Sequence, residues 1–193
     1  TKDYLTANYQ MERFVEAYPK SEKVQEIGFL SAKSYFQLSP VYSKDQEETV
    51  IAIEKLQDFI NKNPNSEYMT AASDLVRELD YKLEKKAYNI ALQYNITGPF
   101  HRDYNSAISA FDNFLVEFPG SVFKEDAMFY KFDSAYKLAT NSVDWKEAAR
   151  VEKAIKYYNS LLFVFPETKY TVQLKQMYQE LQEIQNQSTT TKS

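Results

Sequence analysis

Residues 107–121 read Ala-Ile-Ser-Ala-Phe-Asp-Asn-Phe-Leu-Val-Glu-Phe-Pro-Gly-Ser, and this stretch decides the fold. An alanine is followed by apolar residues four and seven positions later and by a proline at position twelve. Offsets of 0, 4 and 7 lie on one face of an α-helix, and proline cannot continue a helix interior. The serine two positions after the proline is a favoured N-cap. The stretch therefore predicts a helix, a turn and the start of a second helix.

The same spacing occurs four times along the chain. The copies begin at Ala7, Ala52, Ala107 and Ala154 and reach Pro19, Pro64, Pro119 and Pro166. The hydroxyl residues that follow are Ser21, Ser66, Ser121 and Thr168. This spacing is that of the second helix of a tetratricopeptide repeat, although these intervals between prolines exceed the usual ~34 residues. We expect an all-α, tetratricopeptide-like superhelix of helical hairpins, an α-solenoid of about four and a half repeats.

Apolar periodicity predicts eight helices, over 3–18, 22–38, 46–62, 67–95, 103–117, 122–139, 145–164 and 168–185. Ala7 should face inward in the first helix, whose partner helix we expect upstream of Thr1. Gly98 and Pro99 should stop the fourth helix, and Gly28 marks either a close approach of two helices or a tolerated glycine. We expect one repeat domain over 1–186 and a disordered polar tail over 187–193.

Composition excludes several classes of function. The net charge of −4 argues against a nucleic-acid surface, and the basic cluster at Lys82, Lys85 and Lys86 is balanced by neighbouring acids, as on a solvated helix face. The chain contains no cysteine, so a disulfide, a thiolate nucleophile and a Cys-ligated metal are excluded. We expect no cofactor and no metal.

Catalytic motifs are absent from the sequence. His101 is the single histidine and is interpreted as a surface residue, because no partner for acid–base work is visible. Carboxylates lie on polar helix faces, where no apolar surround would raise a pKa. Asn95-Ile96-Thr97 matches a glycosylation acceptor, with chance as the default explanation. We therefore expect a protein that is not an enzyme; a helical enzyme with a hidden acid is a less favoured class.

A solenoid offers an extended surface on which peptide segments bind through aromatic pockets and polar groups. The candidate partner-binding residues are Tyr35, Phe36, Pro40, Tyr42, Asp45, Gln46, Tyr81, Lys82 and Tyr88. Tyr94 is a further aromatic of interest. Each aromatic has an alternative role, because an aromatic at helical spacing usually packs between repeats. The loop over 39–46 is polar, so we expect replacement of Asp45 or Gln46 to leave folding intact.

Residues 59–94, with Pro-Asn-Ser-Glu-Tyr and the long helix after it, resemble the BamD family, most closely its members from the Bacteroidetes. Further similarity lies at 32–40, 42–46, 110–115 and 141–143. The resemblance runs over most of residues 3–183. It implies a tetratricopeptide-type lipoprotein on the periplasmic face of the outer membrane, held there by a lipid anchor. The cysteine that carries lipid in this family is not in this chain, and the first half-repeat is missing too.

The resemblance also implies a function. The chain would be a non-enzymatic scaffold and substrate-handling subunit of the β-barrel assembly machinery. It would dock on the barrel subunit BamA, receive unfolded barrel precursors and have accessory lipoproteins as further partners. In this family the N-terminal repeats are associated with substrates and the C-terminal repeats with BamA. The alternative is another tetratricopeptide adaptor that binds peptide segments in the periplasm or cytosol.

Overall fold

A computed structural model describes residues 3–101 and 103–190, and every regular element in these ranges is an α-helix. The chain divides into two compact units, residues 1–86 and residues 87–193. The helices are α1 (Tyr4–Ala17), α2 (Val24–Leu38), α3 (Glu47–Lys62), α4 (Met69–His101), α5 (Asn105–Glu117), α6 (Lys124–Thr140), α7 (Asp144–Val164) and α8 (Thr171–Thr190). The predicted all-α fold of successive helical hairpins is confirmed.

The first unit contains α1, α2, α3 and the beginning of α4. Helix α1 packs against α2, and α2 packs against α3. Its core joins Phe29 and Ala32 of α2, Leu56 of α3 and Leu79 of α4. These residues recur at helical spacing, so each helix presents an apolar stripe to its neighbours.

The second unit contains the rest of α4 and helices α5 to α8. Within it α5 packs against α6, α6 against α7, and α8 against both α6 and α7. One apolar cluster joins Tyr88 of α4 to Phe111 and Phe114 of α5. A second cluster centres on Phe132 of α6 and Leu161 of α7. Sequential helices are neighbours in space, as expected for hairpin repeats.

The alanine that begins each copy of the spacing is a packing residue in three copies. Ala52, Ala107 and Ala154 are all 0% exposed, because a methyl side chain lets a neighbouring helix approach closely. The inward position expected for Ala7 is wrong: Ala7 is exposed, and the next residue, Asn8, is buried instead. Ala7 therefore does not share the packing role that Ala52, Ala107 and Ala154 have.

The four turns share one hydrogen-bond pattern. In each copy the residue before the proline donates its N–H to the carbonyl at position seven, as from Phe118 to Phe114 at 2.9 Å. The hydroxyl then accepts the N–H two residues on, as Ser121 Oγ does from Phe123 at 3.1 Å. The other three acceptors are Ser21, Ser66 and Thr168. The predicted hydroxyl contacts therefore form, but each hydroxyl lies three residues before its helix begins, in a turn that precedes the helix.

Three aromatic rings fix these turns to earlier helices. The residue two positions after the hydroxyl stacks on a buried ring: Tyr68 on Phe29, with centroids 5.0 Å apart, and Tyr170 on Phe129 at 3.7 Å. The third stack pairs Phe123 with Tyr88. Ring stacking adds stabilisation beyond area burial, so these pairs tie each turn to a preceding helix of the same unit.

Gly98 and Pro99 do not end α4 where the sequence predicts, because the helix continues to His101. A Cβ at Gly98 would lie 2.5 Å from the ring of Tyr104, so glycine is needed there for close approach rather than for termination. After α4 the Asp103 N–H donates to the Gly98 carbonyl at 3.3 Å. Gly28 is different, since a Cβ there would meet Phe59 at an ordinary 3.5 Å.

The last helix reaches Thr190, beyond the predicted end at 185, and includes part of the segment expected to form a tail. Residues 191–193 lie outside the described ranges, so the disordered tail over 187–193 stays a prediction, as does the single domain over 1–186. None of the helices described combines the length and apolarity that crossing a bilayer requires.

Candidate partner-binding surface

Eight of the nine candidate residues lie in the first unit, and most of them surround one loop. We define the 39–46 surface as this loop together with Lys82, Lys85 and Lys86 of α4, which hold it. The loop connects α2 to α3 and contains a turn closed by a hydrogen bond from the Lys44 N–H to the Val41 carbonyl, 3.1 Å long. The surface therefore combines a short ordered loop with a basic stretch of helix.

Gln46 organises the loop from inside. Its side chain is 6% exposed, and Nε2 donates to the carbonyls of Val41, Lys44 and Asp45 at 2.9, 3.0 and 3.2 Å. Its Oε1 accepts from the hydroxyl of the fully buried Thr49. The expectation that Gln46 is dispensable for folding is therefore wrong, because its removal would leave buried polar groups unpaired.

Asp45 is placed differently, on the exposed side of the loop. Its Oδ1 accepts the Glu47 N–H at 2.9 Å, so it satisfies one of the free donors at the start of α3. Pro40 and Tyr42 are half-buried on the same loop. The structure thus keeps Asp45 available to a partner while it encloses Gln46.

Three lysines fasten the loop to α4. Lys82 Nζ donates to Ser39 Oγ at 2.6 Å, and Ser39 Oγ is also 2.6 Å from Thr49 Oγ1. Lys86 Nζ donates to the carbonyl of Lys44 at 2.8 Å. Burial lowers the pKa of Lys82, because desolvation disfavours its charged form. The interpretation of this cluster as only a solvated face is therefore incomplete.

Two aromatic rings lie close to the ammonium groups of lysines in the same cluster. Lys85 Nζ lies 4.8 Å from the ring centre of Tyr42, and Lys82 Nζ lies 5.9 Å from that of Phe36. An ammonium group near a ring face is attracted by the ring quadrupole. These pairs hold Tyr42 and Phe36 in fixed positions beside the loop.

Tyr35 contacts two residues, Glu12 and Lys55, that line a groove between α1, α2 and α3. Its hydroxyl donates to Glu12 Oε1 at 3.1 Å, and Lys55 Nζ is paired with the same oxygen at 2.7 Å. Burial raises the pKa of Tyr35, and the hydrogen bond to Glu12 raises the pKa of Lys55. The groove contains a cavity of about 410 Å³ with an apolar floor that includes Val15 and Phe59.

The remaining two candidates stand apart. Tyr81 lies on α4 and is 44% exposed. Tyr88 is in the second unit, 8% exposed, and stacks on Phe123 with centroids 4.9 Å apart. The packing alternative therefore accounts for Tyr88.

Sequence reasoning missed Glu12 and Lys55, which are 43 residues apart and pair across the groove. The helices were predicted from their apolar faces, and Glu12 and Lys55 are charged residues outside that pattern. No local pattern therefore marks the two residues as partners. Both helices carry the alanine and apolar spacing, which indicates that the helices pack but not which of their charged residues pair.

Other positions considered from the sequence have structural explanations. Asn95 is 4% exposed, and its amide donates to Asp133 at 2.7 Å and Ser134 at 2.8 Å, so it is enclosed rather than presented as a glycosylation acceptor. The His101 side chain lies outside the described part. Burial raises the pKa of Asp80, which corrects the expectation that no carboxylate is perturbed. The described residues hold no group of three acids or histidines arranged to bind a metal.

Comparison with known proteins covers nearly the whole chain. A family model described as outer membrane lipoprotein, YfiO, matches residues 1–100 and again 99–188. The chain belongs to the YfiO family. This membership confirms the resemblance to BamD stated from the sequence.

Three proteins that are similar to this chain are named as BamD. A protein of Aquifex aeolicus, provisionally named outer membrane protein assembly factor BamD, is 30% identical over 80% of this chain and 49% of its own length. BamD of Helicobacter pylori is 31% identical over 35% of this chain and 30% of its own. BamD of Caulobacter vibrioides is 30% identical over 47% of this chain and 30% of its own. The chain thus spans about half the length of these relatives or less.

Proposed function

We propose that this chain acts in outer membrane protein assembly as a scaffold and substrate-handling subunit that is not an enzyme. The observation that carries the proposal is the YfiO family match over both halves of the chain. It is supported by relatives whose names say outer membrane protein assembly factor. In this proposal the chain docks on a BamA-like barrel subunit and receives unfolded barrel precursors, and accessory lipoproteins complete the complex.

The proposed location is the periplasmic face of the outer membrane, reached through a lipid anchor carried outside these residues. The family description as an outer membrane lipoprotein supports this location. Stable anchoring to a membrane generally requires two acyl chains, or one acyl chain together with further contacts. Docking on a membrane-embedded partner would supply such further contacts.

The 39–46 surface is suited to polypeptide binding. Its loop is held by side-chain hydrogen bonds and by Lys82 and Lys86, so little loop entropy is lost when a partner binds. Tyr42 supplies a ring, Lys85 a charge and Asp45 an exposed carboxylate. Such a combination binds extended segments through side-chain pockets and backbone hydrogen bonds.

The groove between α1, α2 and α3 suits an amphipathic or extended precursor segment. Its apolar floor can shelter a side chain, while Glu12 and Lys55 present both signs of charge at the wall. Barrel precursors alternate apolar and polar residues along each strand. An apolar floor with charged walls matches that alternation.

A pull-down with the complete chain on beads and detergent-solubilised outer membranes tests the docking arm. We expect a BamA-like barrel protein as the main captured species. Capture of soluble adaptor partners alone would favour the other class, a tetratricopeptide adaptor that binds peptide tails.

A surface variant tests binding of the unfolded precursor, which the resemblance assigns to the N-terminal repeats. Tyr42→Ala with Asp45→Ala should reduce the capture of an unfolded barrel protein several-fold and leave the helical circular dichroism unchanged. Tyr94→Ala, which removes an exposed ring in the second unit, is the matched control and should capture as much as the wild type. Equal capture by all three chains would remove the 39–46 surface from the proposal.

The substrate arm is tested with an unfolded barrel protein diluted from urea. The chain should delay its aggregation in a saturable way, and Phe36→Ala should weaken this effect more than Tyr94→Ala. A chain that has no effect on aggregation at any ratio would contradict substrate handling without bearing on docking.

A further inference from the structure

A cavity of about 500 Å³ lies in the second unit and shares no residue with the 39–46 surface. Its wall consists of Pro99, Tyr104, Lys137, Leu138, Asn141 and Arg150. Two of these side chains are cations and none is a carboxylate, although the whole chain carries a net charge of −4. The cavity is therefore locally positive in a protein that is acidic overall.

Arg150 provides most of the hydrogen-bond donors in this cavity that have no partner among the described residues. Its Nη1 donates to Ser142 Oγ at 2.9 Å and to the Leu138 carbonyl at 3.4 Å. Within the described ranges no carboxylate forms an ion pair with this guanidinium, and its hydrogen bonds involve Nη1 alone. The Nη2 and Nε donors remain available, and such a pair matches the two oxygens of a planar oxyanion.

Tyr104 is the second observation. The residue is 7% exposed, with its ring held against Gly98, and it lines the cavity. Its hydroxyl makes no hydrogen bond to any residue that the structure describes. The hydroxyl is not one of the enclosed, unpaired polar atoms, so it keeps access to solvent and can donate a hydrogen bond to a ligand in the cavity.

Lys137 adds a positive charge that a neighbouring carboxylate only partly neutralises. Its Nζ pairs with Asp133 Oδ2 at 2.6 Å, and the same oxygen also accepts from Asn95 at 2.7 Å. Asp133 is thus shared between two donors. Lys137 Nζ also lies 5.9 Å from the ring centre of Tyr104, which places its charge beside the unpartnered phenol.

The end of α6 does not oppose an anion here. Free carbonyls at a helix C-terminus normally repel negative charge. Two of the last carbonyls of α6 are satisfied, Leu138 by Arg150 and Lys137 by the Asn141 amide at 2.8 Å. The cations therefore face a helix end at which these two acceptors are already paired.

We propose that this cavity binds a carboxylate group, with Arg150 as the principal ligand and the Tyr104 hydroxyl and Lys137 as supporting donors. The carboxylate comes from a free organic acid or from an acidic side chain of a polypeptide. This site is separate from the proposed docking surface, so its existence does not depend on the proposed function.

Titration of the complete chain tests the proposal. Glutarate represents the free acid and N-acetylglutamate N-methylamide represents a side chain in a polypeptide, with sodium chloride at equal ionic strength as the salt control. We expect a saturable shift of the Arg150 Nε–Hε resonance in NMR spectra and a rise in melting temperature of about 3 °C at ten times the Kd.

Variants connect the effect to the cavity. Arg150→Gln keeps a donor for Leu138 and should weaken binding at least about tenfold, since the charged fork is lost. Arg150→Lys keeps the charge and serves as the test variant if the glutamine variant does not fold. It should bind the probes more weakly than the wild type, because the planar pair of donors is lost. Arg77→Gln, at an exposed arginine paired with Asp74, is the matched control and should not change the affinity.

The outcomes are distinct. Binding of both probes assigns the site to polypeptide carboxylates as well as free acids, and binding of glutarate alone assigns it to a small acid. Absence of saturation with both probes would overturn the proposal. So would an affinity that Arg150→Gln and Arg77→Gln reduce equally.

Discussion

Thr168 donates its hydroxyl hydrogen to Glu125 Oε1 at 2.6 Å, across 43 residues of sequence. The same carboxylate oxygen accepts the Lys169 N–H at 3.0 Å. Glu125 lies in the first turn of α6, and Thr168 lies in the turn that leads into α8. One acidic side chain therefore fixes the entry of the last helix.

Replacement of Glu125 should destabilise the second unit. Glu125→Ala removes two charge-assisted hydrogen bonds and leaves the hydroxyl hydrogen of the buried Thr168 without its acceptor, which should cost about 2 kcal/mol. Urea unfolding followed by circular dichroism gives the free energy. Glu117→Ala, at an exposed position at the end of α5, is the control and should change it by less than about 0.5 kcal/mol. Equal losses in the two variants would contradict the role of Glu125.

The two buried asparagines should respond in opposite directions. Asn8 is 2% exposed, and its amide nitrogen and oxygen have no hydrogen-bond partner among the described residues. Asn8→Leu should therefore stabilise the chain by about 1 kcal/mol, raising the melting temperature by about 2–4 °C. Asn95→Leu should lower it, because Asp133 and Ser134 lose a donor. A fall in both variants would mean that an internal water satisfies Asn8.

The two helical glycines in α2 and α4 form a matched pair. Gly98→Ala should destabilise by about 2 kcal/mol, because the new methyl group would overlap the buried ring of Tyr104. Gly28→Ala should be neutral or stabilising by up to about 1 kcal/mol, since its methyl group meets Phe59 at ordinary distance. Differential scanning calorimetry compares the two variants. A tolerated alanine at position 98 would show that Tyr104 can move without loss.

The alanine-to-proline spacing predicts the fold well because three physical signals coincide in it. Apolar periodicity, a proline that cannot continue a helix and a hydroxyl that binds a nearby N–H all act within about twenty residues. Ala52, Ala107 and Ala154 follow it closely. Ala7 does not, because its burial depends on a neighbouring helix, which local spacing cannot supply.

The candidate surface was less accessible to sequence reasoning. The loop over 39–46 could be located, but its polar residues gave no sign that Gln46 is enclosed while Asp45 is exposed. That difference arises from tertiary contacts of Gln46 with three carbonyls and Thr49. The Arg150 cavity could not be anticipated either, because its wall combines residues of α4, α6 and α7 with Tyr104 before α5 and Asn141 after α6.

The neighbouring residues Asp45 and Gln46 offer a test of the loop. Gln46→Ala should destabilise the chain by about 2 kcal/mol and speed hydrogen exchange over 39–46, because three loop carbonyls lose a hydrogen bond from Nε2 and the buried Thr49 hydroxyl loses its acceptor. Asp45→Ala removes one exposed contact and should cost about 0.5–1 kcal/mol. Exchange mass spectrometry reads both effects. Slow exchange in the Gln46 variant would show that Lys82 and Lys86 hold the loop alone.

Stability should fall in alkali. Burial and the hydrogen bond to Glu180 raise the pKa of Tyr136 to about 12, and burial also raises the pKa values of Tyr88 and Tyr170. Between about pH 10 and pH 12 these phenols ionise in the unfolded chain and stay protonated in the folded one. The unfolded state then binds fewer protons, so the free energy of unfolding decreases as pH rises.

Tyr136→Phe should make this decrease less steep, because one titrating group is removed. Tyr9→Phe, at an exposed ring on α1, should leave the slope as it is in wild type. Urea melts at half-unit intervals from pH 9 to pH 12 give the slopes. A flat profile in wild type would contradict the assignment of protonated buried phenols.

The ring stacks of the second unit have a mechanical consequence. Phe123 rests on Tyr88 and Tyr170 rests on Phe129, so each turn is clasped by a ring two helices earlier in the chain. Interactions of this kind join only adjacent members of an array. Damage to one stack should therefore loosen the hairpins next to it and leave more distant hairpins intact. Unfolding should then begin locally and spread from one hairpin to the next, rather than occur everywhere at once.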